Sequence, residues 1–587
     1  MTRSEYANAR RRVTPLPNLD RNVRVGDSLS GEGFRSVIPL RAGGRVAKLR
    51  ARYSRSTGPR KRSLAKALDS AERECAMSVI EQRIAGIQHQ RRELINMLRS
   101  PDLFGAKHHA DAPTAAELHS LRREIFSARS ELRRMKQGGA LPFSFSAGFA
   151  DAAARGGFDV IAGNPPWVRT HNLDDRARRL LRDRFTVYRD SAWIGGSEAA
   201  AAGRGFASQV DAAALFVERC TELLRPGGAM SLVLPAKLWR SLAGGGVRSL
   251  LLERTSLREI HDLTNAPHLF AAAVYPSVVV ASRRTLRVAK DASGPCVEFT
   301  HQGDSGRRHW RMTSHDLSFD ASRGSPWLIV PPEVRQAFDS IVRNGTPLSK
   351  SVIGRPQLGV KTGCNEAFLV TNDSGIEHCM LRPVIRGDQV TRWTIQPGED
   401  RIVWTHSATG ALDEIPPRAA LHLARWRRNL ELRADARGKR KWWMLFRTES
   451  GDSSNARVVW CDIGRQPRAA VLRAGDTSVP LNTCYVARCR DETDAYALTA
   501  LLNSTLAAAW LAVLAEPARG GYRRYLGWTM GVFTIPSNWV TARSLLAPLA
   551  MRASNDEPPT EPELLSAVLK AYELRIDDVA PLLEWSQ

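Results

Sequence analysis

The residue types best suited to chemistry stand together in one stretch, 158–167, which has the sequence FDVIAGNPPW. Its apolar beginning predicts a buried strand, and Gly163 allows that strand to end sharply. Pro165 and Pro166 fix their φ angles and donate no N–H, so the following loop is stiff and its carbonyl groups face outward. The stretch therefore predicts a rigid polar loop at the end of a buried strand.

This loop has the groups needed to bind a planar ligand that carries an NH2. The side-chain oxygen of Asn164 and the backbone carbonyl of Pro165 are acceptors for the two hydrogens, and Trp167 offers a flat face for stacking. The exocyclic amine of a nucleobase fits this description. The alternative is that Asn-Pro-Pro-Trp is a rigid turn without chemistry.

Net charge is the strongest signal in the composition. The 587 residues include 85 Lys and Arg against 60 Asp and Glu, and the net charge of +25 favours a polyanionic partner. An Arg-rich composition also arises in GC-rich genomes. However, the arginines at 417–441 and 518–524 are interleaved with Trp and Tyr, which favours nucleic acid as the partner.

The rest of the composition is typical of a globular chain with about three or four domains. No run of about 18 apolar residues predicts a membrane span, and the first residues do not resemble a signal peptide. The eight cysteines include no CxxC pair, which predicts free thiols and gives no support to a metal site. We therefore expect a cytoplasmic protein that binds neither a membrane nor a metal.

Residues 60–137 have the apolar spacing of two packed helices, separated by Pro101 and the segment 105–113. The pattern predicts an antiparallel helical hairpin inserted in a catalytic domain. The later helix carries the seam Leu118, Leu121, Ile125, Ala128, Leu132 and Met135, and the earlier one carries Leu64, Leu68, Ala71 and Cys75.

Strands and helices alternate in the segment 212–280, which predicts an α/β domain with a doubly wound, mostly parallel sheet. A Pro-Gly-Gly turn at 226–228 separates the first helix from its strand. The predicted helices are 213–224 and 247–253, and the predicted strands are 229–234, 257–263 and 274–280.

The Asn-Pro-Pro-aromatic tetrapeptide after a strand resembles the catalytic motif of amino-methylating DNA methyltransferases, above all the adenine-N6 enzymes. The lead-in segments 141–144 and 157–161, with Phe149 between them, are similar to those of large methylase subunits in restriction-modification and phage-defence systems. This resemblance to Type IIG-like methylases implies a Rossmann-like methyltransferase sheet with a helical-hairpin insertion. An α+β target-recognition domain is expected to follow.

The resemblance also implies roles for individual residues. Asp27, after the predicted strand Val23–Val25, would contact the adenine of S-adenosylmethionine, and Phe270 would stack with Trp167 on the extruded target base. A turn-forming Asp and a core Phe remain the alternatives at these two positions. The implied catalytic residues are Asn164, Pro165, Pro166 and Trp167.

The segments 359–368 and 381–388 resemble the opening of the target-recognition domain, and 501–504, 520–525 and 535–536 resemble its end. The residues expected to bind DNA are Lys361, Thr362, Asn365, Arg386, Arg523 and Arg524. We expect a start of the methyltransferase core at 1–59, the hairpin at 60–137, the catalytic core at 138–330, the recognition domain at 331–545, and a linker with a C-terminal helix at 546–587.

One expected element is missing. Methyltransferases of this type begin with a strand and a Gly-rich loop that wraps the methionine end of the cofactor, where the backbone must approach the ligand closely. Gly31–Phe34 and Gly244–Gly246 do not stand in the required context. We therefore expect a sheet that is incomplete at its N-terminus, completed by a separate N-terminal methylase fragment or left incomplete in a truncated chain.

The sequence thus predicts a site-specific methyltransferase that transfers a methyl group from S-adenosylmethionine to adenine N6 in double-stranded DNA by base flipping. It would serve a restriction-modification or related defence system, and a partner restriction nuclease stays open. The alternatives are a catalytically inactive truncated methylase, a DNA-binding specificity subunit, and an amine-methylating enzyme that acts on RNA or on a protein glutamine.

Overall fold

The structure is a computed structural model of the chain. It describes residues 18, 20–29, 40–100, 112–141, 143–199, 210–264, 275–285, 296–303, 306–372, 374–436 and 441–586.

The N-terminal part is helical. Two long antiparallel helices lie where the apolar seams predict them, and Ile84, Ala128 and Met135 are among the buried side chains between them. A shorter helix packs on the first of these through Val46, Leu68 and Cys75. The helices are α1 (Leu40–Ser54), α2 (Gly58–Arg99), α3 (Ala112–Lys136), α4 (Phe145–Gly148) and α5 (Ala150–Ala154).

A six-stranded sheet follows, with the strand order β1-β2-β4-β3-β5-β6. Its strands are β1 (Phe158–Gly163), β2 (Leu224–Pro235), β3 (Thr255–Asp262), β4 (Pro276–Arg283), β5 (Cys296–Gly303) and β6 (Gly306–Thr313). The helices between them are α6 (Asp175–Arg184), α7 (Thr186–Arg189), α8 (Ile194–Ala199), α9 (Ala212–Leu223), α10 (Lys237–Arg240) and α11 (Gly245–Arg254).

The expectation of a mostly parallel sheet is wrong. Within the described strands, β1 is parallel to β2 and β3 is parallel to β5, whereas β4 is antiparallel to both β2 and β3, and β6 is antiparallel to β5. The insertion of β4 between β2 and β3 reverses the strand direction in the middle of the sheet. The α/β class itself is confirmed.

β1 forms one end of this sheet, with β2 as its neighbour on one side. It is also more exposed than its sequence predicts, since the Val160 side chain is 68% exposed. At its start, Asp159 Oδ1 accepts a hydrogen bond from Arg225 Nε at 2.5 Å, and this contact lowers the pKa of the Asp159 carboxyl group. The prediction of a fully buried strand is therefore wrong for β1.

The predicted short strand Val23–Val25 is also absent from the structure, which places these residues in an irregular segment with Val25 94% exposed. This segment is attached to the sheet domain a few residues later. Leu29 is buried in the core under the sheet, and Arg219 Nη2 donates to its carbonyl at 2.7 Å.

The segment after 330 contains helices and several small sheets. The strands form the groups β17-β10-β11-β9, β12-β13, β16-β14-β18-β8, β15-β20-β19 and β21-β7. They are β7 (Gly345–Pro347), β8 (Gln357–Leu358), β9 (Leu369–Val370), β10 (Leu381–Ile385), β11 (Arg401–Val403), β12 (His406–Ser407), β13 (Gly410–Ala411), β14 (Arg457–Cys461), β15 (Ile463–Gly464), β16 (Ala469–Leu472), β17 (Val479–Pro480), β18 (Cys484–Arg488), β19 (Glu516–Ala518), β20 (Tyr522–Arg524) and β21 (Thr534–Pro536).

The helices of this segment bury a large aromatic core that continues into the sheet domain. Trp193 meets the edge of Trp528 at a ring distance of 5.9 Å, which joins the two parts of the molecule. The helices are α12 (Pro332–Arg343), α13 (Asn365–Phe368), α14 (Pro417–Ala424), α15 (Arg427–Leu432), α16 (Glu492–Leu502), α17 (Thr505–Leu514), α18 (Gly527–Val532), α19 (Trp539–Ala553), α20 (Glu561–Ala571) and α21 (Ile576–Ser586).

Among the described residues, no single helix has the length and apolar composition to cross a membrane. The pair α16 and α17, bent by 67°, passes that test only when its two helices are counted together. The same part of the chain contains no group of three His, Cys, Asp or Glu side chains placed to hold a metal. All eight cysteines are free thiols, as the sequence predicted.

The carboxylate of Asp262, at the carboxyl end of β3, is buried and contributes to the stability of the fold. Burial would raise its pKa, but the His301 ring, the Arg240 charge and the Thr264 hydroxyl lower the pKa to about 2, from 3.8. Because the pKa in the folded state is depressed, this carboxylate stabilises the fold above pH 3.8, and the contribution is lost as the pH falls towards 2.

We expect Asp262→Asn to lower the free energy of unfolding at pH 7 by about 2 kcal/mol, from a pKa shift of nearly two units. Urea unfolding at pH 7 and at about pH 3 measures the effect, and the loss should be smaller at the lower pH. Asp577→Asn, at an exposed position, is the matched control and should change stability by less than about 0.5 kcal/mol. Equal losses for Asp262→Asn at both pH values would contradict the prediction.

Candidate active site

The predicted catalytic loop begins where β1 ends. β1 and β2 run in parallel, with Gly163 opposite Leu232, so their carboxyl ends lie at the same edge of the sheet. Asn164 is exposed at this edge, Pro165 is buried behind it, and Pro166 is exposed. The structure thus presents the Asn164 amide to solvent on a stiff support, as the sequence predicted.

Backbone hydrogen bonds hold the far end of this loop. The carbonyl of Val168 accepts from Ala212 N at 2.8 Å, and Thr170 N donates to the carbonyl of Val210 at 3.0 Å. Ala212 is the first residue of α9, so the loop is attached directly to a helix that packs against β2. Both ends of the loop are therefore fixed to the sheet domain.

Trp167 lies between these two attachments and is half-buried. Its ring packs against the core under the sheet, and its Nε1 donates to the carbonyl of Val233 in β2 at 3.4 Å. The orientation of the indole is thereby set by β2 rather than by the loop alone. A ring held in this way provides a fixed surface beside Asn164.

A buried ion pair follows at the same edge. Asp211 is 2% exposed, caps α9 by accepting from Ala213 N at 3.1 Å, and meets Lys237 Nζ at 2.8 Å. Lys237 begins α10 directly after the carboxyl end of β2. This pair joins the segment after the loop to the segment after β2, so the carboxyl ends of both strands share one charged cluster.

Next to this cluster lies a cavity of about 710 Å3, here called the interdomain cleft, between the sheet domain and the C-terminal part. Cations from both parts line it, namely Arg169, Lys237, Arg355, Arg447 and Arg524, and the acidic side chains are Asp211, Glu449 and Glu516. Asp211 is already paired with Lys237. The cleft is therefore positively charged on balance, which suits an anionic ligand.

Glu516 is one of the acidic side chains that line this cleft. Burial raises the pKa of its carboxyl group, and the nearby charges of Arg524, Lys237 and Arg248 act in the opposite direction. Two residues along β19 from Glu516, the carbonyl of Ala518 accepts a hydrogen bond from the hydroxyl of Tyr275. The C-terminal part thus contacts the segment that leads into β4, near the catalytic edge.

The structure places Asp27 in an exposed turn, where its Oδ1 accepts from Leu29 N at 2.9 Å. Its predicted contact with the cofactor remains a prediction. Phe270 lies outside the described residues, and so its predicted stacking on the target base also remains a prediction. The flanking residues Thr264 and Tyr275 lie at the carboxyl edge of the sheet.

Four of the residues predicted to bind DNA are engaged within the protein. Lys361 Nζ lies 3.2 Å from Asp435 Oδ2, and Thr362 is buried with its hydroxyl donating to Asn365 Oδ1 at 2.6 Å. Arg386 forms an ion pair at 2.5 Å with a carboxylate of the segment before β11, Asp400.

The two arginines of β20 have different environments. Arg523 Nη1 donates to the carbonyl of Ala512 at 2.7 Å, and burial lowers the pKa of its guanidinium group to about 10. Arg524 is exposed and lines the interdomain cleft together with Arg169. Of the six predicted DNA-binding residues, Arg524 is the one whose side chain lies in this cleft.

The other cationic residues that line the cleft were not among the residues predicted to bind DNA. Arg169 follows the catalytic loop closely, so its position beside Trp167 was a usable signal. Lys237 likewise follows the end of a predicted strand. Arg355 and Arg447 come from distant segments of the C-terminal part, and their local sequence carries no signal that they share a cavity.

The α/β sheet has a Rossmann-like methyltransferase fold, and the Asn-Pro-Pro-aromatic loop lies at the carboxyl end of its strand β1. Residues 67–270 match the family described as Eco57I restriction-modification methylase. This part of the chain is therefore similar to the methylase domains of that family.

Similar curated proteins include the Type II methyltransferase M.PaeR7I of Pseudomonas aeruginosa, 22% identical over 401 residues, which are 64% of this chain and 64% of that protein. M.BstVI of Geobacillus stearothermophilus is 23% identical over 267 residues, 42% of each chain. Among solved structures, the Type IIL restriction-modification enzyme MmeI in complex with DNA covers 87% of this chain and 70% of its own, with 11% identity and a TM-score of 0.48. The chain thus spans less than two thirds of these curated relatives.

The methylase family implies S-adenosylmethionine as the cofactor. In the described part of the chain, no Gly-rich turn faces Asn164 and Trp167 across β1, which is the end strand of its sheet. The described residues therefore do not by themselves make a cradle for the methionine end of this cofactor.

Trp167 supports a stability prediction of its own. Trp167→Ala removes a half-buried ring from the core and should lower the free energy of unfolding by about 2–3 kcal/mol. Trp167→Phe keeps an aromatic ring but loses the hydrogen bond to the Val233 carbonyl, which should cost about 1 kcal/mol. Urea unfolding of both variants measures the two losses. Stability equal to wild type in both would show that the ring is not anchored to β2.

Proposed function

We propose that this chain is the catalytic and DNA-recognising part of a site-specific DNA methyltransferase that methylates the N6 amine of adenine. The observation that carries the proposal is the exposed Asn164 amide, held at the carboxyl end of β1 by two prolines and by a loop attached to α9. The match to restriction-modification methylases supports DNA as the substrate and a defence system in the cytoplasm as the setting.

In the proposed reaction, these residues orient the adenine amine for methyl transfer. The adenine amine is a weak nucleophile because its lone pair is delocalised into the ring. The Asn164 side-chain oxygen and the Pro165 carbonyl would each accept one N–H hydrogen, which favours the pyramidal geometry in which the lone pair is available. S-adenosylmethionine supplies the methyl group, and no covalent enzyme intermediate is required.

The target adenine must first leave the double helix, since its amine is paired there. Trp167 would then stack on the extruded base and offset part of the lost stacking energy, which is about 1–3 kcal/mol per base. Its ring is already held by β2, so little side-chain entropy is lost on binding. The positive interdomain cleft beside the loop would receive the phosphates around the flipped nucleotide.

We expect Asn164→Ala to lower the rate of methyl transfer by about 10²-fold or more, since an acceptor that positions the amine is lost. DNA affinity should stay within about twofold, because the amide contributes to chemistry and not to the phosphate contacts. Transfer of a tritiated methyl group by the chain co-expressed with the polypeptide encoded immediately upstream measures the rate, and fluorescence anisotropy with duplex DNA measures the affinity.

Asn172→Ala, a change at an exposed asparagine just beyond the same loop, is the matched control and should retain the wild-type rate. A primary loss of DNA binding in Asn164→Ala would count against the assigned role.

We also propose that a separate polypeptide completes the cofactor site by adding a strand to the open side of β1. A strand that is parallel to its neighbour is normally covered on both sides and both faces. Among the strands that the structure describes, β1 pairs with β2 alone, and its Val160 is exposed. A Gly-rich turn at the end of such an added strand would lie at the same edge as Asn164, because the carboxyl ends of parallel strands meet there.

This proposal predicts the binding of S-adenosylmethionine. By calorimetry, we expect no binding to the chain alone and stoichiometric binding after co-expression with the polypeptide encoded immediately upstream. Val160→Lys should abolish this complex by placing a charge at the joint, while Val540→Lys should not, although Val540 is as exposed at 75%.

Cofactor binding by the chain alone would overturn the proposed completion in trans. No binding in either preparation would instead favour the second candidate function, a DNA-binding subunit without catalysis, for which the open side of β1 is the specific observation.

A further inference from the structure

A second cavity with cationic walls lies in the C-terminal part, apart from the interdomain cleft. It has a volume of about 710 Å3 and lies between the segment after β15 and the beginning of α17. Its charged lining consists of Arg392, Arg465, Arg468 and Glu561. We call it the arginine cavity.

The charges of this cavity are not balanced. Arg392 is paired with Glu561 and donates from Nη2 to the Asn503 carbonyl at 2.8 Å. Arg465 and Arg468 have no carboxylate within salt-bridge distance among the residues that the structure describes. Arg468 contacts the Cys461 side chain and Arg465 lies over the Tyr522 ring, so the charges of both guanidinium groups are left without a carboxylate. A guanidinium group is suited to hold a phosphate through paired N–H donors.

Two further features point to an anionic ligand. The buried Nε of Arg392 has no hydrogen-bond partner among the described residues, so a donor at the cavity is unused. The first residue of α17, Thr505, also lines the cavity, and the positive end of a helix dipole stabilises an anion placed there. Arg392 and Thr505 line the same cavity as Arg465 and Arg468.

The arginine cavity is connected to the interdomain cleft by the small sheet β15-β20-β19. Tyr522 and Arg524 lie two residues apart on β20 and so share one face of the sheet. Tyr522 lines the arginine cavity, and Arg524 lines the interdomain cleft. Tyr522 is 41% exposed and has Arg465 over its ring at 5.7 Å. The sheet face therefore carries an exposed basic and aromatic surface from one cavity to the other.

We propose that the arginine cavity binds backbone phosphates of the DNA duplex away from the flipped base, with Arg465 and Arg468 as the phosphate-binding residues. The inference rests on the proposed function, since it extends the path of the DNA from the interdomain cleft across Tyr522 to this second site. Such contacts fix the register of the protein on the duplex and carry no base specificity.

The test is the salt dependence of DNA binding by the full chain carrying Arg465→Ala and Arg468→Ala together. Fluorescence anisotropy with duplex DNA at several salt concentrations should show a slope of log K against log salt that is reduced by about 1.8, because each phosphate contact contributes about 0.9. Affinity at low salt should fall at least about tenfold.

Lys570→Ala with Arg575→Ala is the matched control, since it removes the same charge from exposed positions, one on α20 and one in the connection before α21. Its slope should stay within about 0.3 of wild type if those residues contact no phosphate. Because Arg468 is half-buried, the single change Arg465→Gln at an exposed site keeps the test valid if the double variant unfolds. That single change should reduce the slope by about 0.9.

An unchanged slope in a folded variant overturns the proposal. A free phosphate compound could occupy the same cavity, and the binding of inorganic phosphate tests for it. If the variant loses binding of inorganic phosphate while its DNA slope stays at the wild-type value, the cavity serves a free phosphate compound, and the proposal falls. If the double variant shows the expected slope change but wild-type protein shows no methyl transfer, the proposed catalysis fails while the arginine cavity stands as a DNA site.

Discussion

The parallel pairing of β1 with β2 is the constraint on which the site depends. It brings Gly163 opposite Leu232 and so places the catalytic loop beside the segment that begins α10. The Trp167 hydrogen bond to β2 and the attachment of Val168 to α9 both follow from this register. A shift by one residue would turn Asn164 towards the other face of the sheet and break these contacts together.

The folded structure determines which positive charges of the chain can contact a ligand. Many arginines serve the fold itself, such as Arg248, which is fully buried and donates to four carbonyl groups, and Arg523, which donates to Ala512. Others, including Arg169, Arg524 and Arg465, line two cavities joined by β20. The net charge of +25 therefore overstates the cations available to a ligand, and their placement is the more informative quantity.

Local patterns in the sequence predicted the features that depend on neighbouring residues, namely the long helices and the loop after β1. The apolar seams gave the long helices α2 and α3, and the prolines gave the stiff loop with its exposed amide. The directions of the strands were beyond reach, because the position of β4 between β2 and β3 depends on packing and not on spacing. Side-chain partners were equally hidden, since Lys361 meets Asp435, far along the chain. The cavities combine segments separated by hundreds of residues, for which one sequence carries no signal.

The charged pair at the start of β1 has a consequence for the behaviour of the chain at high concentration. An apolar strand with a free side is a template for pairing with any other strand, including that of a second copy. Asp159 lies on this strand and is held by Arg225 at 2.5 Å, so each copy carries a fixed carboxylate at the joint. Two such strands in register bring these groups together, which disfavours fibrous aggregation. Neutralising Asp159 would therefore favour self-assembly through β1, without changing a residue of the loop that follows the strand.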